Sequence, residues 1–206
     1  MWLYTLLSIL AFRSIDTKLQ EKYPFLRNNN YITSTIHAFI TYTVSFYYLL
    51  DKISTQSYLE LNCISLGYAI YDIYHLYITN SPSRNFLIIH HLMIVFVNIW
   101  VNFNIDLFVL KMMAFNYLTE FTTPFLNVSL YLYQSKQTKL KYYGFNLFKT
   151  CNFLLITSFL FLRIFLGIYL VKVNLFYNYL SYLQVVMLGM NSYWFSKLVK
   201  KAITII

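Results

Sequence analysis

Seven runs of apolar residues, separated by short charged or Asn/Ser/Pro-rich breaks, constrain this chain more than any single residue does. They extend over Met1–Phe12, Tyr31–Leu50, Tyr58–Thr79, Phe86–Asn102, Ile105–Tyr133, Gly144–Val171 and Leu175 to Lys197. A helix needs about 20 predominantly apolar residues to cross the hydrocarbon layer of a bilayer, about 30 Å thick, and every run but the first has that length or nearly so. The first spans only about 18 Å at a rise of about 1.5 Å per residue, which predicts a tilted, half-inserted or re-entrant helix. A cleaved signal peptide fits it less well, because no basic stretch precedes it and no small-residue cleavage pattern follows. Charged residues make up 11% of the chain and hydrophobic ones 59%, against about 25% charged in an average soluble domain. An all-α polytopic membrane protein follows, and a soluble fold, a flexible linker and a disordered segment are excluded.

Sixteen Lys and Arg against seven Asp and Glu give a formal charge of +9. In a soluble protein that excess would suggest nucleic acid; in a membrane protein it collects in the loops of one face, so no nucleic-acid partner is expected. Alternating the seven runs across a bilayer places Arg13, Lys18, Lys22, Arg27, Arg84, Lys136, Lys139, Lys141, Lys197, Lys200 and Lys201 on one side and only Lys52 and Lys172 on the other. The basic side is the cytoplasmic one, which predicts a cytoplasmic C-terminus, in the endoplasmic reticulum ahead of the plasma membrane. Three stretches are expected: 1–30, a short hydrophobic helix with a basic cytoplasmic loop; 31–200, the membrane domain; and 201–206, a cytoplasmic tail. Cys63 and Cys151 sit inside apolar runs, as small packing residues do. The 21 Tyr and 19 Phe read mostly as interfacial belts and packing. Nothing in the sequence sets an oligomeric state.

An ionisable side chain inside a membrane helix costs several kcal/mol unless it is paired or hydrated, so each such residue is a candidate for function. His37, Asp72, His75, His90 and His91 all fall about 6–11 Å below the basic surface, on three different predicted helices. Asp72 and His75 are i, i+3 and share a face, where the carboxylate can orient the imidazole or hold its charge. His90 and His91 point about 100° apart, so at most one faces squarely into a site. On the fifth run Glu120, Pro124 and Asn127 form a stripe, and Pro124 is expected to kink the helix there. Lys111 on the same run and Arg163 on the sixth both qualify as counter-ion to Glu120. Three or four His with Asp could bind a metal, since imidazole suits zinc or iron, but there is no HExxH or repeated ExxH pattern, and no metal is expected. A GxSxG elbow and a glycine-rich phosphate loop are missing too.

Several of these residues sit in stretches that resemble the TLC-domain family, multi-pass membrane proteins that include the ceramide synthases. In order they are Ser34–Ala38 around His37, Gly67–Asp72, His90 with His91, Glu120–Asn127, Phe161–Ile164 around Arg163, and Asn191–Trp194. The resemblance implies a six-helix transmembrane barrel around a lipid-sized cavity, with the first short helix outside that core. It also implies that His90 and His91 occupy the positions of the adjacent histidines associated in ceramide synthases with acyl transfer from acyl-CoA to a long-chain base. Where those enzymes carry closely spaced aspartates, the stretch Asn98–Leu110 has only Asp106. The Glu120–Asn127 stretch is instead similar to the TLC-domain-containing branch outside the ceramide synthases.

Three functions are therefore expected in descending order. The first is a protein of lipid metabolism or homeostasis that binds a membrane lipid or fatty acyl chain in an intramembrane cavity, with no cofactor. It would use His37, His75, Glu120, Pro124, Asn127, Arg163 and Trp194 for binding, with a His/Asp cluster near the cytoplasmic face. The second is a ceramide-synthase-like N-acyltransferase, with His90, His91 and Asp72 catalytic and acyl-CoA as co-substrate. The third is a proton-coupled transporter, since intramembrane Asp, Glu and His also mark proton paths.

Overall fold

The computed structural model describes residues 2–23, 30–79, 84–174 and 178–205. The predicted run starts Met1 and Leu175, the basic residue Arg27 and the terminal Ile206 lie outside the described residues. The fold is all-α apart from one small hairpin, and the chain divides into two compact units, Met1–Tyr117 and Leu118–Ile206.

The first unit contains α1 (Trp2–Lys22), α2 (Tyr31–Leu49), α3 (Thr55–Thr79), α4 (Arg84–Phe103) and α5 (Leu107–Tyr117). Helix α3 is its centre, packing against α1, α2 and α4, while α2 also meets α5. Five consecutive residues of α3, Ser65, Leu66, Gly67, Tyr68 and Ala69, are all buried, as a helix with neighbours on several sides requires. Helix α4 fully buries only His90, Asn98 and Val101 and exposes Phe86, Ile89, Leu92, Phe96 and Phe103. Asp106 accepts from the Phe108 backbone N–H at 2.8 Å, so this lone acidic residue caps the start of α5.

Helix α1 is 21 residues long and continues well past the apolar run that ends at Phe12, so the expected basic loop is helical as far as Lys22. Its buried residues explain the extension: Thr5, Ser8, Phe12 and Asp16 recur at helical spacing and form one stripe. The α1 and α3 backbones come very close at Gly67, where a Cβ would stand 2.6 Å from the Thr5 carbonyl oxygen and 2.7 Å from the Ser8 Cβ. The Ser8 hydroxyl donates to the Ile64 carbonyl at 2.9 Å across the same crossing. Small residues that let backbones touch are the usual means of helix association in membranes. Gly67→Ala is therefore expected to push α1 off α3 and cost about 1–3 kcal/mol, although alanine favours the helix itself. Thermal unfolding checks this, and a variant as stable as the wild type would contradict it.

The second unit opens with a 3₁₀ turn (Leu118–Thr122) and continues through α6 (Thr123–Gln134), a two-stranded hairpin of β1 (Lys141–Tyr142) and β2 (Phe145–Asn146), α7 (Leu147–Phe159), a π-helical segment (Leu160–Phe165), α8 (Leu166–Asn174) and α9 (Asn178–Ile205). Tyr143 and Gly144 both have positive φ, 48° and 82°, the conformation a two-residue hairpin turn demands. Helix α6 packs on α7, α8 on α9, and the π segment touches both α9 and the 3₁₀ turn. The fifth run, expected as one helix kinked near Pro124, is helical from Leu107 to Gln134 but passes through the 3₁₀ turn between Tyr117 and Thr123, with Pro124 in the first turn of α6. Proline is tolerated at that position because the first-turn N–H groups have no intrahelical acceptor. Helix α4 and the continuous helical stretch Leu147–Val173 are each long and apolar enough to cross a membrane.

Candidate functional site

At one end of the first unit, the early turns of α2 and α4 meet the last turns of α3 and the second half of α1. Four helices thus bring polar side chains to the same place. His91 on α4 and Asp72 on α3 form the tightest pair, with His91 Nε2 2.7 Å from Asp72 Oδ2 and side chains only 12% and 7% exposed. The other carboxylate oxygen of Asp72 accepts from the Asn30 side-chain amide, just before α2. A second carboxylate arrives from α1: Asp16 accepts from the Tyr71 hydroxyl at 2.5 Å and from the Gln20 amide at 2.6 Å. Thr33 on α2 donates to its other oxygen at 3.4 Å, and His75 Nε2 stands 3.8 Å away.

The remaining two histidines flank these pairs. His37 stacks on Tyr68 with ring centroids 3.9 Å apart and places Nε2 3.3 Å from the Ser65 hydroxyl. His90 is buried and lies edge-on to His91 at 5.2 Å, so of the adjacent pair it is His91 that meets the carboxylate. Phe12 and Tyr68 pack edge-on at 5.1 Å and, with Tyr71, form an apolar wall beside the polar groups. Besides sharing a face of α3, Asp72 and His75 each have a closer partner on another helix, Asp72 with His91 and His75 with Asp16. Sharing a face at i, i+3 brought Asp72 and His75 to the same side, but the neighbouring helices supplied the closer partners.

The chemistry of this arrangement follows from hydrogen-bond accounting. With Nε2 committed to Asp72, His91 keeps Nδ1, a buried nitrogen without a hydrogen-bond partner among the described residues. A carboxylate fixes the tautomer and ring orientation of the imidazole it binds. The free nitrogen is then able to accept a proton or, when protonated, to donate to a polar ligand group. His75 likewise has neither ring nitrogen in a hydrogen bond among the described residues. Within that same set, no group of three or more His, Cys, Asp or Glu side chains is set to hold a metal ion.

The second unit holds its own polar cluster, centred on Arg163 in the π-helical segment. Its Nε donates to the Thr122 hydroxyl at 2.9 Å, and its terminal nitrogens reach Asn191 Oδ1 and the Thr123 hydroxyl at 3.5 Å each. Glu120 Oε1 lies 3.8 Å from the guanidinium, with side chains 8% and 15% exposed for Arg163 and Glu120, while Thr123 donates to Glu120 Oε2 at 2.7 Å. The Phe159 ring sits 5.2 Å from the guanidinium carbon. Of the two candidate counter-ions for Glu120, Arg163 takes the role; Lys111 faces Asp51 at 3.8 Å in an exposed pair. Asn127 is buried on α6 and Trp194 half-buried on α9, while Pro124 belongs to the first turn of α6. A π-helical turn often marks a functional position; here it presents the buried guanidinium.

Sequence reasoning missed Asp16, Asn30 and Tyr71. Asp16 carried a signal, since it continues the stripe of Thr5, Ser8 and Phe12, and Tyr71 falls in the Gly67–Asp72 stretch without a role being assigned to it, whereas Asn30 carried none. Thr122, Thr123 and Asn191 fall within the stretches that resemble the TLC-domain family, without a role being assigned to them. No curated protein and no solved structure matches the chain. The family model described as the TLC domain matches residues 27–200. With that match over more than half its length, and an all-α fold containing helices able to cross a membrane, the chain belongs to the TLC-domain family of membrane proteins.

Proposed function

We propose that this protein handles a membrane lipid, holding the polar headgroup at the Asp72–His91 pair while the acyl chain lies along the apolar helices. The observation that carries the reading is the shielded His91 ring, 12% exposed, anchored through Nε2 by Asp72 at 2.7 Å and offering a buried Nδ1 without a hydrogen-bond partner among the described residues. A shielded carboxylate–imidazole pair inside a membrane domain is costly, and a ligand that uses the second nitrogen accounts for the cost. The charge asymmetry of the loops supports a site near the cytoplasmic face and a cytoplasmic C-terminus.

The same geometry favours acyl transfer as the second reading. An imidazole with one nitrogen held by a carboxylate is equipped for general base catalysis at the other. His91 Nδ1 would take the proton from the amine of a long-chain base as its nitrogen attacks the acyl-CoA carbonyl. Attack would form the C–N bond and a tetrahedral oxyanion; its collapse would restore the carbonyl, break the C–S bond and pass the proton to the departing thiolate.

His91→Ala is expected to reduce the lipid that co-purifies with the protein by about 10- to 100-fold, from the about 1.5–3 kcal/mol of a hydrogen bond to a charged group. Lipid mass spectrometry on both proteins, before and after adding acyl-CoA and a long-chain base, reads the two functions separately. Bound lipid without product supports headgroup binding; an amide product that vanishes in the variant supports acyl transfer. Equal lipid in both proteins, with no product in either, overturns the assignment to this pair.

A further inference from the structure

We propose that α1, which precedes the matched TLC domain, is a working part of the site, with Asp16 as the positioning residue that holds His75. The matched region begins at residue 27, whereas Asp16 is on the preceding helix and is 6% exposed. Its carboxylate faces α3, with Tyr71 donating at 2.5 Å and His75 Nε2 3.8 Å away. His75 is 5% exposed, and neither of its ring nitrogens has a hydrogen-bond partner among the described residues. Asp16, fixed by the Tyr71 hydroxyl, is therefore the carboxylate within ion-pair distance of His75 and is placed to orient it. The cluster thus contains two carboxylate–imidazole pairs, one built within the domain and one completed from outside it.

The pairing depends on how α1 sits. The buried face of α1 runs from Thr5 and Ser8 at the Gly67 crossing to Asp16 at the polar end, so the contact at Gly67 and the carboxylate position are set by one rigid helix. Lifting α1 at Gly67 withdraws Asp16 from Tyr71 and His75 while the Asp72–His91 pair, made by α3 and α4, remains. Seating of α1 in this way sets how strongly the site holds a headgroup; that consequence rests on the lipid-handling reading, whereas the pairing itself does not.

Four histidines in the chain make the test readable. Full-length protein labelled with ¹⁵N-histidine and reconstituted in lipid nanodiscs gives side-chain nitrogen signals assignable by single His→Gln variants. Asp16→Asn and Gly67→Ala are both expected to move the His75 signals and leave the His91 signals in place, and Asp16→Glu is expected to restore His75. Lipid retention is expected to fall several-fold in Asp16→Asn and to recover in Asp16→Glu. Unmoved His75 signals in Asp16→Asn overturn the proposal, as does a disturbance of His75 and His91 together that Asp16→Glu does not repair. If His75 follows Asp16 while lipid retention is indifferent to Asp16, His91 and Asp72 alike, the pairing stands and the headgroup reading fails.

Discussion

Arg163→Met is expected to destabilise the protein by about 3–5 kcal/mol, the usual result of removing one partner from a buried ion pair. The loss has several parts. Glu120, at 15% side-chain exposure, would lose the guanidinium 3.8 Å away, and the Thr122 and Asn191 acceptors would lose their donor. The 3₁₀ turn, the π segment and α9 would lose the side chain that ties them together. Because most of the penalty is the stranded carboxylate, the double variant Arg163→Met/Glu120→Gln is expected to recover a large part of it. Unfolding in detergent, followed by helical content, separates the cases. A single variant within about 0.5 kcal/mol of wild type, as an ordinary surface substitution would be, contradicts this account of the cluster.

Asp72→Asn is expected to leave the fold in place and to lower headgroup retention by about 10- to 100-fold. Asparagine matches aspartate in shape, so packing around α3 persists, but the amide carries no charge and presents a donor as readily as an acceptor. His91 loses the partner that orients it, and its two nitrogens lose their distinct roles. Where the protein turns over acyl-CoA, the same change is expected to slow transfer by about 10²–10⁴-fold, the range of a misplaced general base. Asp72→Glu keeps the charge but moves it, and falls between the two. Retention of lipid by Asp72→Asn at the wild-type level would remove the carboxylate from the site.

The all-α membrane class was legible because it rests on run length and charge content, which no tertiary detail overrides. Burial of Asp72, His75 and Arg163 was legible too, since an ionisable group in an apolar run must find a partner. What remained hidden was the identity of the partners. Periodicity places Asp72 and His75 on one face of α3, but only packing reveals that α4 brings His91 to the first and α1 brings Asp16 to the second. The length of α1 was missed for a related reason: Arg13, Lys18 and Lys22 suggested a loop, while the helix carries them at exposed positions outside the stripe of Thr5, Ser8, Phe12 and Asp16. Around Glu120 the proline signalled a disturbance. Its form, a 3₁₀ turn within the helical run, carried no signal in the sequence beyond the proline; Thr122 and Thr123 there contact Arg163.

The most direct measurement of the central claim uses a membrane lipid with a photoreactive group at the headgroup, cross-linked to the full-length protein in nanodiscs and mapped by peptide mass spectrometry. Adducts are expected in the segments that carry Asp72 and His91, sharply reduced in Asp72→Asn. Adducts confined to other segments, or equally abundant at these positions in both proteins, would contradict headgroup binding at the Asp72–His91 pair.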